Sequence, residues 1–345
     1  MLNLNNVLPS NSRARRKLVL LARHLNVAVT HKLRKNFFQP TQESTAQFRE
    51  ALVKSYLPSW HKDIELDNRY FDSEEGLREI DNHLFSRLEL DRYNFVPWID
   101  SLTPLMGASV LEIGCGTGSV TVALAEQGAS VIAVDAHREA LEISRLRAHM
   151  HGVKNVSFIE GNAKDLKNLV RGTQFDLIVF LAVLEHMNFE ERKSALRAAW
   201  EILPIGKKIC ISDTPNRLWF YDGHTSELPF FNWLPDELAF EYSKHSPRYP
   251  FNEKFREMNS QSMLSFMREG RGFSFHDIDL ALGDDCEYKV ISDMKAFLAL
   301  RNPAVALKRF LASDRKRERL LNSYAPSRHR AFFRQYLDLV IEKVR

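Results

Sequence analysis

The sequence predicts an α/β fold built on a doubly wound parallel sheet, and three observations carry that reading. From Ser109 onward, short β-branched apolar runs alternate with amphipathic stretches of helical length. The runs are apolar at both alternating sets of positions, as strands are when a sheet is covered on two faces. The stretches between them end at Gly128 and Gly152, where a left-handed cap is wanted, and near Pro204.

In chain order, Leu18, Leu21, Ala22, Leu25, Val29 and Leu33 fall at helical spacing, with Arg16, Arg23 and Arg34 elsewhere on the wheel. This basic amphipathic segment also fits an organellar transit peptide. A second helical stretch runs from Glu74 to Leu102, with Leu77, Ile80, Leu84, Leu88, Phe95 and Ile99 at helical intervals. SVLEIG (109–114), SVIAVD (130–135), VSFIEG (156–161), FDLIVFL (175–181) and KKICISD (207–213) read as strands. Residues 214–272 carry twelve aromatics and five of the thirteen prolines, the composition of a substrate-facing lid or of a satellite core under a long loop. FSFHDIDLAL (273–282) and EYKVIS (287–292) read as two more strands. The tail reads as a helix opening at Ser327, after Pro326, and burying Phe333, Leu337, Val340 and Val344. The expected division is a helical extension over 1–104, an α/β domain over 105–292 carrying the aromatic insertion 214–272, and a basic helical extension over 293–345.

Composition narrows the class. A chain of 345 residues, 44% hydrophobic and 27% charged, can bury one or two large cores, which excludes disordered, collagen-like and disulfide-scaffold classes. The three cysteines (Cys115, Cys210, Cys286) are scattered and fit no zinc spacing, which reads as a reducing, cytoplasmic setting. No apolar run reaches the roughly 18 residues of a membrane-spanning helix. The net charge of +4 hides basic ends, +8 over residues 1–42 and +8 over 301–345, around a body of −12. Such ends suit an anionic partner, a membrane surface or nucleic acid, or are solvated helix faces.

The strongest local signal is Leu111-Glu112-Ile113-Gly114-Cys115-Gly116-Thr117-Gly118, a strand running into a glycine turn that opens a helix. Glycines let the backbone approach a ligand, and the helix start offers free N–H groups. The dinucleotide fingerprint G-x-G-x-x-G fails at its third glycine, which here is Ser119. Glu112, two residues before the turn, would repel a pyrophosphate and suits a cationic ligand.

These residues resemble the first motif of the class I S-adenosylmethionine-dependent methyltransferases. The resemblance implies a Rossmann-like, seven-stranded sheet with S-adenosyl-L-methionine as cofactor. It further implies that Asp135, 17 residues after Gly118 with Ala136 beside it, accepts both ribose hydroxyls. Asn162 and Ala163 would meet the adenine, and Leu181 the methionine moiety. With Glu112, Gly114, Cys115, Gly116 and Gly118 these make the expected cofactor set. The resemblance covers about 105–213.

For the acceptor, Glu185, His186, Asp213 and His224 are the candidate catalytic groups, being near the carboxyl ends of the fourth and fifth strands, where α/β sheets bind ligands. The run Leu184-Glu185-His186 also resembles quinone-pathway O-methyltransferases, where the segment commonly reads E-x-x-E-H and suggests a divalent metal. Here Ala182 replaces the first Glu, so no metal is expected. The expected function is methyl transfer to a small-molecule or lipid-like acceptor at oxygen, with peripheral contact to an anionic membrane surface admitted. An RNA or protein methyltransferase and a non-catalytic cofactor-binding partner subunit are the alternatives. Nucleic acid is disfavoured, because the aromatics lack interleaved Lys and Arg.

Overall fold

Seven strands make one sheet: β1 Ser109–Ile113, β2 Ser130–Asp135, β3 Val156–Glu160, β4 Leu177–Leu181, β5 Lys208–Pro215, β6 Tyr288–Asp293 and β7 Tyr336–Lys343. Their order is β3-β2-β1-β4-β5-β7-β6. Strands β1 to β5 run parallel, and β7 enters antiparallel between β5 and β6. The computed structural model describes residues 37–60, 66, 68–249, 251–302 and 314–345. The basic helix expected over 18–33 lies outside the described residues.

Period-2 alternation in apolar strands feeds two cores. Val110, Val131, Leu177, Val179, Cys210 and Val340 face one, with helix α1 (Ser119–Ala125) and Phe95, Val96 and Trp98 of the N-terminal part. Leu111, Ile113, Ile178, Phe180, Ile209, Ile211, Leu339 and Ile341 face the other. Three further helices matter for the site: α2 (Arg138–Met150), α3 (Phe189–Ile202) and α4 (Phe275–Leu282), the last two packed in this second core. Strand order reverses between β1 and β4, which opens a crevice at their carboxyl ends.

Three sequence expectations change. Residues 275–282 are helix α4 and not a strand: Ser274 and Asp277 form a capping box that starts a helix where period-2 counting suggested a strand. The tail after Pro326 is not a helix. Leu337, Leu339 and Ile341 alternate into one core, Val340 faces the other and Val344 is exposed, so the run is strand β7. Residues 293–345 are therefore not a separate extension, because β7 completes the sheet. The N-terminal helices join the fold through α2. Phe48, Leu52, Tyr56, Leu57, Ile80 and Leu84 pack on Ala140, Ile143 and Met150 of α2.

The aromatic insertion forms the satellite core: Phe231, Phe240, Phe251, Phe255 and Phe266 bury one another. Among the described residues no helix is long and apolar enough to cross a membrane.

Candidate active site

The glycine turn follows β1 directly. Gly114, Gly116 and Gly118 all take positive φ, at 73°, 51° and 76°, a region closed to most side chains. The three differ in what a side chain would meet. A Cβ on Gly114 would lie 2.3 Å from Val183, and one on Gly118 would lie 2.9 Å from Ser144 of α2, so these two let the loop pack. Over Gly116 there is open space.

Asp135, at the end of β2, braces the same turn. One carboxylate oxygen accepts the Gly116 N–H and the other the His137 N–H, both at 2.9 Å. Burial raises its pKa, and the backbone donors pull it back. Each oxygen keeps a lone pair for a further donor such as a sugar hydroxyl. Gly161 donates to the Asp135 carbonyl, and the Asn162 side chain accepts from Lys164, which sets the β3 end beside this corner. Ala163 is buried.

Two of the expected cofactor residues face inward. Glu112 is buried and accepts from Thr121 of α1 at 2.5 Å, and its pKa is pushed up to about 8 by burial. It joins β1 to α1 behind the turn. Cys115 packs against Ser144, its thiol pKa raised by burial, as a small filler.

On the far side of the crevice, Ala182 and Asp213 follow and end the apolar parts of β4 and β5 with φ of 49° and 52°. Non-glycine residues in that region cost of order 1–3 kcal/mol and cluster at functional sites. The turn Leu184–His186 comes next. The buried Arg192 of α3 holds it, donating to the carbonyls of Leu184 (2.7 Å), Met187 (2.9 Å) and Gly272 (3.1 Å).

The fold brings three of the four catalytic candidates together. The Nε2 atoms of His186 and His224 each lie 4.0 Å from a Glu185 carboxylate oxygen. Glu185 is fully buried, with neither oxygen hydrogen-bonded, and burial pushes its pKa up to about 8. His186 has its pKa lowered by burial, and His224 is brought to about 4 by burial and by His186, so both imidazoles are neutral at pH 7. Asp213 is set apart at the β5 end. Its N–H donates to Asp338 of β7 at 2.9 Å, and burial with the Asp338 charge raises its pKa to about 6.

Several residues here escaped sequence reading. Trp60 stands edge-on to His186, with ring centroids 5.4 Å apart, and to His137 at 6.3 Å, so it bridges the two halves of the crevice. It stacks on Tyr56, which contacts His83. His83 meets Thr117 of the glycine turn at 3.2 Å, and the buried Arg147 donates to the Thr117 and His83 carbonyls. Apart from the Tyr56–Trp60 stack, these contacts and the Asp338 brace cross long stretches of chain, and no local signal announces them.

Residues 110–206 match the family model of a methyltransferase domain. Over 123 residues the chain is 32% identical to a ubiquinone biosynthesis O-methyltransferase of Paracidovorax citrulli, a match covering 36% of this chain and 48% of that protein. A Pseudomonas aeruginosa protein of the same name is 35% identical over 122 residues, 35% of this chain and 50% of its own. The chain thus spans about half the length of the curated relatives it matches. Among solved structures, magnesium protoporphyrin IX methyltransferase from Synechocystis aligns with 72% of this chain and 91% of its own, at 16% identity and a TM-score of 0.43. The glycine turn and the acid at the end of β2 both lie within residues 110–206, the stretch that matches a methyltransferase domain.

Proposed function

We propose that this protein binds S-adenosylmethionine over the glycine turn and transfers its methyl group to an oxygen of a small-molecule or lipid-like acceptor. The observation that carries the reading is the open backbone floor at Gly116, bordered by the Asp135 carboxylate and following β1, the strand paired with β4, after which Glu185 and His186 follow and gather His224. Gly114 to Gly118 would seat the cofactor, Asp135 and Ala136 its ribose, Asn162 and Ala163 its base and Leu181 its amino-acid end. When bound, the sulfonium supplies a methyl group already activated for displacement.

The chain's own work is alignment, exclusion of water and removal of a proton. Each histidine has its Nδ1 engaged, His186 with the Arg268 carbonyl and His224 with the Thr225 hydroxyl, both at 2.9 Å. Their Nε2 lone pairs are thereby free to accept a hydroxyl proton. That arrangement, and the relatives named as O-methyltransferases, support oxygen as the acceptor atom. Trp60 covers both halves of the crevice and limits water.

Calorimetry with S-adenosylhomocysteine tests the binding half. Wild type binds, whereas Asp135→Ala and Gly116→Val lose at least tenfold in affinity while staying folded by circular dichroism. Unchanged affinity in both variants overturns the assignment. Radiolabelled cofactor with fractionated cell extract then identifies the acceptor, and a labelled hydroxyl-derived product is expected.

A further inference from the structure

The groups around Glu185 hold more than a proton-accepting imidazole requires. Glu185 and His186 come from the turn after β4, and His224 comes from the insertion 38 residues on. The three side chains offer one ligand atom each within 4.8 Å of one another. The two gaps of 4.0 Å from Glu185 to the imidazole Nε2 atoms are too long for hydrogen bonds. An ion bonded to both atoms at about 2.0–2.2 Å spans such a gap with small side-chain movement.

The placement of hydrogens sharpens the point. The partner of His186 Nδ1 is the Arg268 carbonyl, which can only accept, so the ring proton sits on Nδ1 and Nε2 carries a lone pair. Thr225 directs its one hydroxyl hydrogen to the carbonyls of Glu269 and Gly270, at 3.2 and 3.1 Å. Its oxygen therefore accepts from His224 Nδ1, and the His224 Nε2 also carries a lone pair. Two imidazole lone pairs and two buried carboxylate oxygens without a hydrogen bond converge on one point. Neither carboxyl oxygen has the hydrogen-bond partner that buried polar atoms normally have. These groups are a complete donor set for a cation.

The surroundings hold the rings in that pose. A metal-ligating histidine characteristically donates its other ring N–H to a carbonyl or hydroxyl, and both rings do so here. Gly270 stands against His224, where a Cβ would lie 2.7 Å from Nδ1, so only glycine lets the ring sit where it does. Arg192 fixes the Glu185 turn from the opposite side.

We propose that Glu185, His186 and His224 form a binding site for a divalent transition-metal ion, with the remaining coordination positions open to an acceptor oxygen. Two imidazoles and one carboxylate suit Zn2+, Fe2+, Mn2+ or Co2+ rather than Ca2+. The expectation of no metal weighed Ala182 but not His224, which the tertiary fold brings beside Glu185 and His186. Metal binding here stands independently of the methyl-transfer reading. A role in polarising the acceptor hydroxyl rests on that reading, and with the ion bound the imidazole Nε2 atoms act as its ligands and no longer as proton acceptors.

The test uses the full chain and the metals alone. Zn2+ titration by calorimetry and Co2+ titration by visible absorption are expected to show one ion per chain, with the d–d bands of a nitrogen-liganded site. His224→Ala and Glu185→Gln should each weaken Zn2+ binding at least 100-fold. Thr225→Val, which removes only the hydroxyl behind His224, should weaken it about 10- to 100-fold. S-adenosylhomocysteine affinity measured on the same samples should stay within about twofold, which certifies that the variants are folded. Wild type that takes up no stoichiometric ion, or His224→Ala that binds Zn2+ as tightly as wild type, overturns the proposal. Wild type that binds Zn2+ but not S-adenosylhomocysteine upholds the metal site and overturns the methyl-transfer reading alone.

Discussion

Glu112 shows how one buried carboxylate carries consequences for both stability and reading. Its pKa stands at about 8 in the fold against 4.5 for the free group, with burial the leading cause. A raised carboxylate pKa means that the folded state binds the proton more tightly than the unfolded one. The stabilisation is therefore complete below the unfolded value and is lost as pH climbs through the folded one. Asp91, at about 7, and Glu185, at about 8, have the same sign. The melting temperature is expected to fall between about pH 5 and about pH 9. Glu112→Gln keeps an acceptor for Thr121, cannot ionise, and should shrink that fall while leaving the part due to Asp91 and Glu185. Melts by circular dichroism that show an unaltered pH dependence in the variant would contradict this account of Glu112. At this scale the glycine turn and Asp135 were legible, because strand, glycines and acid are neighbours in sequence. What each glycine does was not, since the clashes that require Gly114 and Gly118 come from Val183 and Ser144.

Among the elements, β7 decides most. It pairs with β5 on one side and β6 on the other, and its Asp338 accepts from both the Ser212 hydroxyl and the Asp213 N–H at 2.9 Å. This bond holds Asp213 in its left-handed conformation at the site. Asp338→Ala leaves two inward donors without a partner and should destabilise by about 1–3 kcal/mol, read by urea unfolding. A stability equal to wild type would show that water replaces the carboxylate at no loss. The helical spacing of Phe333, Leu337, Val340 and Val344 competes with a period-2 alternation in YLDLVIEK, and the fold follows the alternation. Only the open edge of β5 settles the matter, because a strand there gains a ladder on both sides. Helix α4 is the reverse case: its capping box was present in the sequence, and the alternation of Phe273, Phe275 and the residues after them hid it.

For the molecule as a whole, the charge distribution is the feature with a functional reach. Basic ends around an acidic body should bring the full chain to anionic lipid vesicles in co-sedimentation, with binding that falls steeply as salt rises. Deleting residues 1–42 should remove most of it. Equal sedimentation with neutral vesicles, or a preference for RNA at the same ionic strength, would turn the reading away from a membrane surface. The sequence by itself determined the parallel α/β core, the cofactor turn and the acid that borders it, since apolar period, turn chemistry and motif spacing are local properties written over a few neighbouring residues. Tertiary structure alone decided that the tail is the seventh strand, that the N-terminal helices roof the crevice through Trp60 and His83, and that His224 meets Glu185 and His186. Those outcomes depend on which surfaces remain unpaired after the core has formed, and that is settled by contacts between segments far apart in the chain.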